Sequence, residues 1–85
     1  MKLTLILAGP YNSCIATKDV WQQSCTKHNI DIEVTDLDDK KGQAITADLE
    51  LKSFPALIYN NKVIAVGHPD IQTADKIISD LVQQE

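Results

Sequence analysis

The chain has 85 residues, enough for one small domain that buries only roughly 60–65% of its unfolded surface. Twelve acidic against eight basic residues give a net charge of −4. That balance argues against a nucleic-acid module, which carries a basic stripe, and against a binder of anionic membranes. The 44% hydrophobic and 24% charged content is that of a globular chain, not a disordered one, and two cysteines are too few for a disulfide framework.

The N-terminal stretch "MKLTLILAG" resembles a signal peptide on the surface, with Lys2 ahead of an apolar run. The run spans only Leu3 to Ala8, with Thr4 inside it, and Pro10 and Tyr11 follow directly. It falls short of the roughly 7–15 apolar residues of a secretory core, so it reads as a strand buried on both faces. No segment approaches the ~20 apolar residues of a membrane span. The expectation is a soluble, cytoplasmic protein with no membrane partner.

Gly9-Pro10 punctuates the first strand. Asn12 or Ser13 can cap a following helix through a short side-chain oxygen. From Cys14 to about His28 the spacing is helical: Thr17, Val20, Trp21, Ser24, Cys25 and His28 fall on one face. "NIDIEVTDL" alternates Ile30, Ile32 and Val34 with polar residues, the period of a strand. "DDKKGQAITADLEL" predicts a short, poorly formed helix, capped by Asp38 or Asp39 and weakened by Gly42 by ~1 kcal/mol relative to alanine. "PALIY" and "KVIAVG" are β-rich runs around Asn60-Asn61, a pair that tolerates positive φ and suits a two-residue hairpin turn. "HPDIQTADKIISDLVQQE" closes the chain as an amphipathic helix with Ile71, Ala74, Ile77, Ile78, Leu81 and Val82 on its apolar stripe. The order β-α-β-α-β-β-α predicts an α/β fold. Its first two strands are parallel, its last two antiparallel, and helices cover both faces of a mixed four-stranded sheet.

That order resembles the minimal thioredoxin fold. The sharpest likeness lies in "ADLELKSFPALIYNNKVIAVG", residues 47–67, which is similar to the thioredoxin and glutaredoxin stretch around the cis-proline. Leu51, Ser53, Phe54 and Pro55 take the places of the family's segment, and Gly67 the place of the glycine that ends its hairpin. The resemblance implies a cis bond before Pro55. It also implies a groove beside Phe54 and Pro55 that pairs with an extended peptide or protein segment, a short β-augmentation. Read without the resemblance, Pro55 simply marks the start of a strand.

Redox members of this family carry C-x-x-C at the start of the first helix. The helix N-terminus stabilises the first thiolate, and the second thiol resolves the mixed disulfide. This chain has "YNSC" instead, a degenerate motif with one thiol. Cys14 lies 16 positions before Ile30, about the distance of the second cysteine in small thioredoxin-like proteins. In that register Cys14 takes the resolving place and Tyr11 the nucleophile's. In the other register Cys14 attacks and Thr17 stands in the resolving place. An intrachain disulfide with Cys25 is excluded: 11 positions along one helix is about 16 Å, and a disulfide needs its Cα atoms under about 7 Å apart.

Tyr11, Asn12, Ser13, Phe54 and Pro55 are the candidate binding residues, with Cys14 the candidate catalytic thiol. Cys25 is expected in the core as a small apolar residue. Cys25 and His28 have C-x-x-H spacing but lack the further ligands that structural zinc wants, so no metal is expected. His68 reads as a solvated loop residue, and Asp36, Asp38 and Asp39 as a solvated loop and cap. Three functions stay open. One is monothiol thiol–disulfide exchange through Cys14, with glutathione as a possible co-substrate, a thiol protein as a partner and no resident cofactor. Another is a non-catalytic module that holds an extended protein segment beside Pro55. The third is a subunit of a larger assembly, as many small thioredoxin-like chains serve as adaptors.

Overall fold

A computed structural model describes residues 1–9 and 11–84. The elements run β1 (Lys2–Leu7), α1 (Asn12–Lys27), β2 (Asp31–Asp36), α2 (Lys40–Leu49), β3 (Ala56–Tyr59), β4 (Lys62–Val66) and α3 (Ile71–Gln83). This is the expected β-α-β-α-β-β-α order. The sheet order is β2-β1-β3-β4, with β1 parallel to β2 and antiparallel to β3. Pro10, read as part of the turn after β1, lies outside the described residues, as does Glu85 at the end of the last predicted helix.

The continuous apolar run of β1 is explained by its central place. Leu3 and Leu5 point to one face, where they join Trp21 and Cys25 of α1, Leu57 of β3, and Ala74, Ile78 and Leu81 of α3. Ile6 points to the other, where it meets Ala56, Ile58 and the α2 residues Ile45 and Leu49. One side of the sheet thus carries two helices and the other carries α2. Full burial of each large apolar side chain stabilises by roughly 1.5–3 kcal/mol.

Two polar links lock α1 to α3. The hydroxyl of Ser24, fully buried, donates to Asp75 Oδ1 at 2.6 Å, and Lys27 Nζ donates to Asp75 Oδ2 at 3.0 Å. These bonds hold the Asp75 carboxyl below its usual range, the Ser24 bond most. The two-residue turn is as expected: Asn60 and Asn61 have φ of 54° and 62°, and Tyr59 pairs with Lys62 across it.

Three local expectations need correction. Neither Asn12 nor Ser13 caps α1; the helix starts two residues earlier than Cys14, and Tyr11 holds the cap position with no side-chain bond. Asp39 does sit at the cap of α2, but its carboxylate turns back to accept from the Asp36 N–H and the Thr35 hydroxyl. Gly42 is not merely a weak point of α2. It is buried, and a Cβ there would lie 2.1 Å from the Asp36 carbonyl oxygen. The glycine is what lets α2 approach the end of β2.

Candidate functional site

Register alone gathers the candidate residues at one end of the sheet. Ile6 pairs with Ala56, so Leu7 and Pro55 leave the β1–β3 pair at the same end. The Leu37 N–H donates to the Leu7 carbonyl at 2.7 Å, and the Gly67 N–H donates to the Pro55 carbonyl at 2.9 Å. The Gly9 N–H donates to Asp36 Oδ2 at 3.1 Å. The turn into α1, the Phe54–Pro55 segment and the turn out of β4 therefore share the carboxyl end of β1, the end where open α/β sheets bind ligands.

Gly9 has a φ of 98°, and the Tyr11 ring lies against it: a Cβ on Gly9 would sit 3.1 Å from Tyr11 Cε2. The backbone of Tyr11 is extended, and its carbonyl accepts the first helical bond from the Ile15 N–H at 3.0 Å. Its side chain stays 66% exposed. Asn12 and Ser13 follow as exposed residues of the first turn. Cys14, the third residue of α1, turns inward and is 4% exposed. The first turn holds no acidic side chain to offset the partial positive charge of the helix N-terminus.

One turn further, Thr17 is buried, and its hydroxyl shares a hydrogen bond of 2.5 Å with His68 Nδ1. His68 is exposed, as expected of a loop residue, but it is not free: it ties the exit of β4 to α1 on the helix face that carries Cys14. Sequence reasoning missed this pair. The available signal was the three-residue step from Cys14 to Thr17, which puts both on one face. Just before β3, Phe54 is half-buried against Ile6, Ala56 and Ile58 of the α2-side core, and Pro55 is fully buried. The Phe54–Pro55 peptide bond is cis. Tyr11, Asn12 and Ser13 are exposed, Phe54 is half-buried, and Cys14 and Pro55 are buried.

Cys25 stands apart, fully buried in the α1/α3 core, and burial pushes its thiol up to about 11. Neither cysteine is in a disulfide. Among the described residues no group of three or more His, Cys, Asp or Glu gathers that could hold a metal ion, and no helix is long and apolar enough to cross a membrane.

Strand order, helix placement and site position together define a thioredoxin-like fold. Thioredoxin 1 of Thermosipho africanus TCF52B superposes with a TM-score of 0.72 at 18% identity, over 99% of this chain and 97% of its own. A malarial protein gives 0.68 at 16% identity, over 93% of both chains. The oxidised thioredoxin of Plasmodium falciparum gives 0.62 at 12% identity, over 98% of this chain and 78% of its own. No protein-family model matches the chain, and no curated protein matches it in sequence. Similarity at these identities is a similarity of fold.

Proposed function

We propose that this protein is a thioredoxin-fold binding module that holds an extended protein segment at the end of the sheet marked by Tyr11, Phe54 and Pro55. The observation that carries this reading is the contrast in the first turn of α1: the aromatic ring at its head is exposed and the thiol three residues on is covered. A nucleophile must be reached by its substrate. Here the accessible group is a tyrosine, which offers apolar area and one hydroxyl but no sulfur chemistry. Cys14 stands as the resolving member of a motif whose attacking place is filled by Tyr11. Two free cysteines suit a reducing compartment, the cytoplasm.

A second reading has one observation in its favour. Cys14 is the third residue of α1, and the first turn of that helix holds no acidic side chain. Monothiol exchange with a thiol protein or glutathione would use it after local opening of the turn. Insulin reduction in the presence of dithiothreitol, and again with glutathione, separates the readings from ordinary thioredoxin chemistry. The binding module gives no turnover above the buffer rate in either assay. Robust turnover that Cys14→Ser abolishes contradicts it. Under the binding reading, Phe54→Asp weakens an identified protein partner at least about tenfold while the fold, followed by circular dichroism, is kept; unchanged affinity removes the groove from the account.

A further inference from the structure

α1 is bonded to the last third of the chain at two levels. Thr17 shares its hydrogen bond with His68, and Ser24 donates to Asp75, each pair 51 positions apart. The two segments therefore run in the same direction. At the level of Ser24 the neighbour is α3, and Trp21 and Cys25 join a core to which α3 gives Ala74, Ile78 and Leu81. At the level of Thr17, α3 has not begun, since its first residue is Ile71. The link between β4 and the Asp70 cap, Gly67 to Pro69, passes there instead.

Cys14 and Thr17 are buried all the same. Among the described residues Cys14 belongs to neither apolar core, and its neighbours Ser13 and Ile15 are exposed. Helical side chains lean towards the N-terminus, so each covers the turn ahead of its own Cα. Thr17 leans in this way towards the turn of Cys14, and His68 is bonded to its hydroxyl. Few bonds hold the link. Among the described residues, the Gly67 N–H donates to the Pro55 carbonyl at 2.9 Å, and His68 Nδ1 shares the 2.5 Å bond with Thr17. Pro69 has no N–H to add another. Gly67 has a φ of 87°, and a Cβ there would meet nothing within 4 Å, so the link has open space beside its first residue.

We propose that residues 67–69 form a strap over the start of α1, latched by the Thr17–His68 bond, and that opening of this strap, not unfolding, controls access to Cys14. The proposal rests on the reading that the thiol is covered in the folded protein, and it names what regulates that cover. Closed, the end of the sheet offers an aromatic binding surface. Open, it offers a thiol as well. One hydrogen bond contributes little net stability, so the strap opens far more often than the core.

Alkylation by iodoacetamide in native buffer, mapped by mass at each cysteine, tests it. The two thiols report different openings: Cys14 reports the strap and Cys25 the core. Thr17→Val removes the latch hydroxyl and keeps the side-chain shape. His68→Ala removes the other half from an exposed position. Each variant is expected to raise the Cys14 rate at least about threefold over wild type, the range of one net hydrogen bond, with the Cys25 rate and the circular dichroism spectrum unchanged. Should Thr17→Val fold poorly, His68→Ala decides alone. A Cys14 rate that stays at the wild-type value in a folded variant overturns the latch. A joint rise of Cys14 and Cys25 in His68→Ala overturns it too, because the bond then supports the whole fold and not the strap. Failure of the underlying reading looks different: wild-type Cys14 already reacts as fast as in the urea-unfolded chain.

Discussion

At Gly42 two effects of a single methyl group oppose each other. Alanine in place of glycine inside a helix gains about 1 kcal/mol of intrinsic propensity. The same methyl would meet the Asp36 carbonyl oxygen at 2.1 Å, and backbone cannot yield as a flexible side chain does. Overpacking of this kind costs typically about 1–3 kcal/mol, so steric conflict wins. Gly42→Ala is predicted to lower stability by up to about 2 kcal/mol, read as a reduced urea midpoint with unchanged slope; an equal or higher midpoint would refute the close-approach role. The sequence shows a glycine in a helical window and suggests only weakness. Its role is set by β2, whose end it meets from six residues away along the chain, and local pattern carries no record of that. Tyr11 and Cys14 differ in the same way. Their spacing was legible, and so was the register that makes the tyrosine the head of the motif. Their opposite exposures go with where α1 begins: its cap is Tyr11, one or two residues before the Asn12 or Ser13 that capping chemistry suggests.

Elements were more legible than residues because their signals repeat. The apolar stripe of α3, the run of β1 and the alternation in β2 each predict the element found, and Asp70 caps α3 by accepting from the Thr73 N–H at 2.8 Å. The β3–β4 turn is legible from two residues, since asparagine tolerates the left-handed region better than other non-glycine residues. Asn60→Val is predicted to cost about 1–2 kcal/mol, while Asn61→Gly keeps or raises stability; equal urea midpoints for the valine variant and wild type would contradict the turn assignment. The α1–α3 contact was less legible. Helical spacing puts Ser24 on the buried face, but only the fold brings Asp75 to its hydroxyl. The folded carboxyl of Asp75 titrates below its unfolded value of about 3.9. Its contribution is therefore present above that value and lost as pH falls through the lower folded one. Asp75→Asn should lower the melting temperature near neutral pH, and the gap from wild type should close in acid. A gap that stays constant with pH would contradict the linkage.

For the whole molecule, strand order does what no single motif can. Parallel pairing of β1 with β2 and antiparallel pairing of β1 with β3 bring residues 9, 11, 55 and 67 to one end of the sheet. That end carries an exposed aromatic ring, a covered thiol and a histidine fastened to α1 by Thr17. The central claim is that the thiol is sheltered in the folded protein and does not act as an open nucleophile. Its most direct test is the rate at which iodoacetamide alkylates Cys14 near neutral pH, followed by mass mapping so that Cys25 is scored separately, in native buffer and in strong urea. The account predicts native alkylation at least about tenfold slower than in the unfolded chain. A native rate equal to or above the unfolded one would contradict it and make Cys14 an accessible, activated thiol.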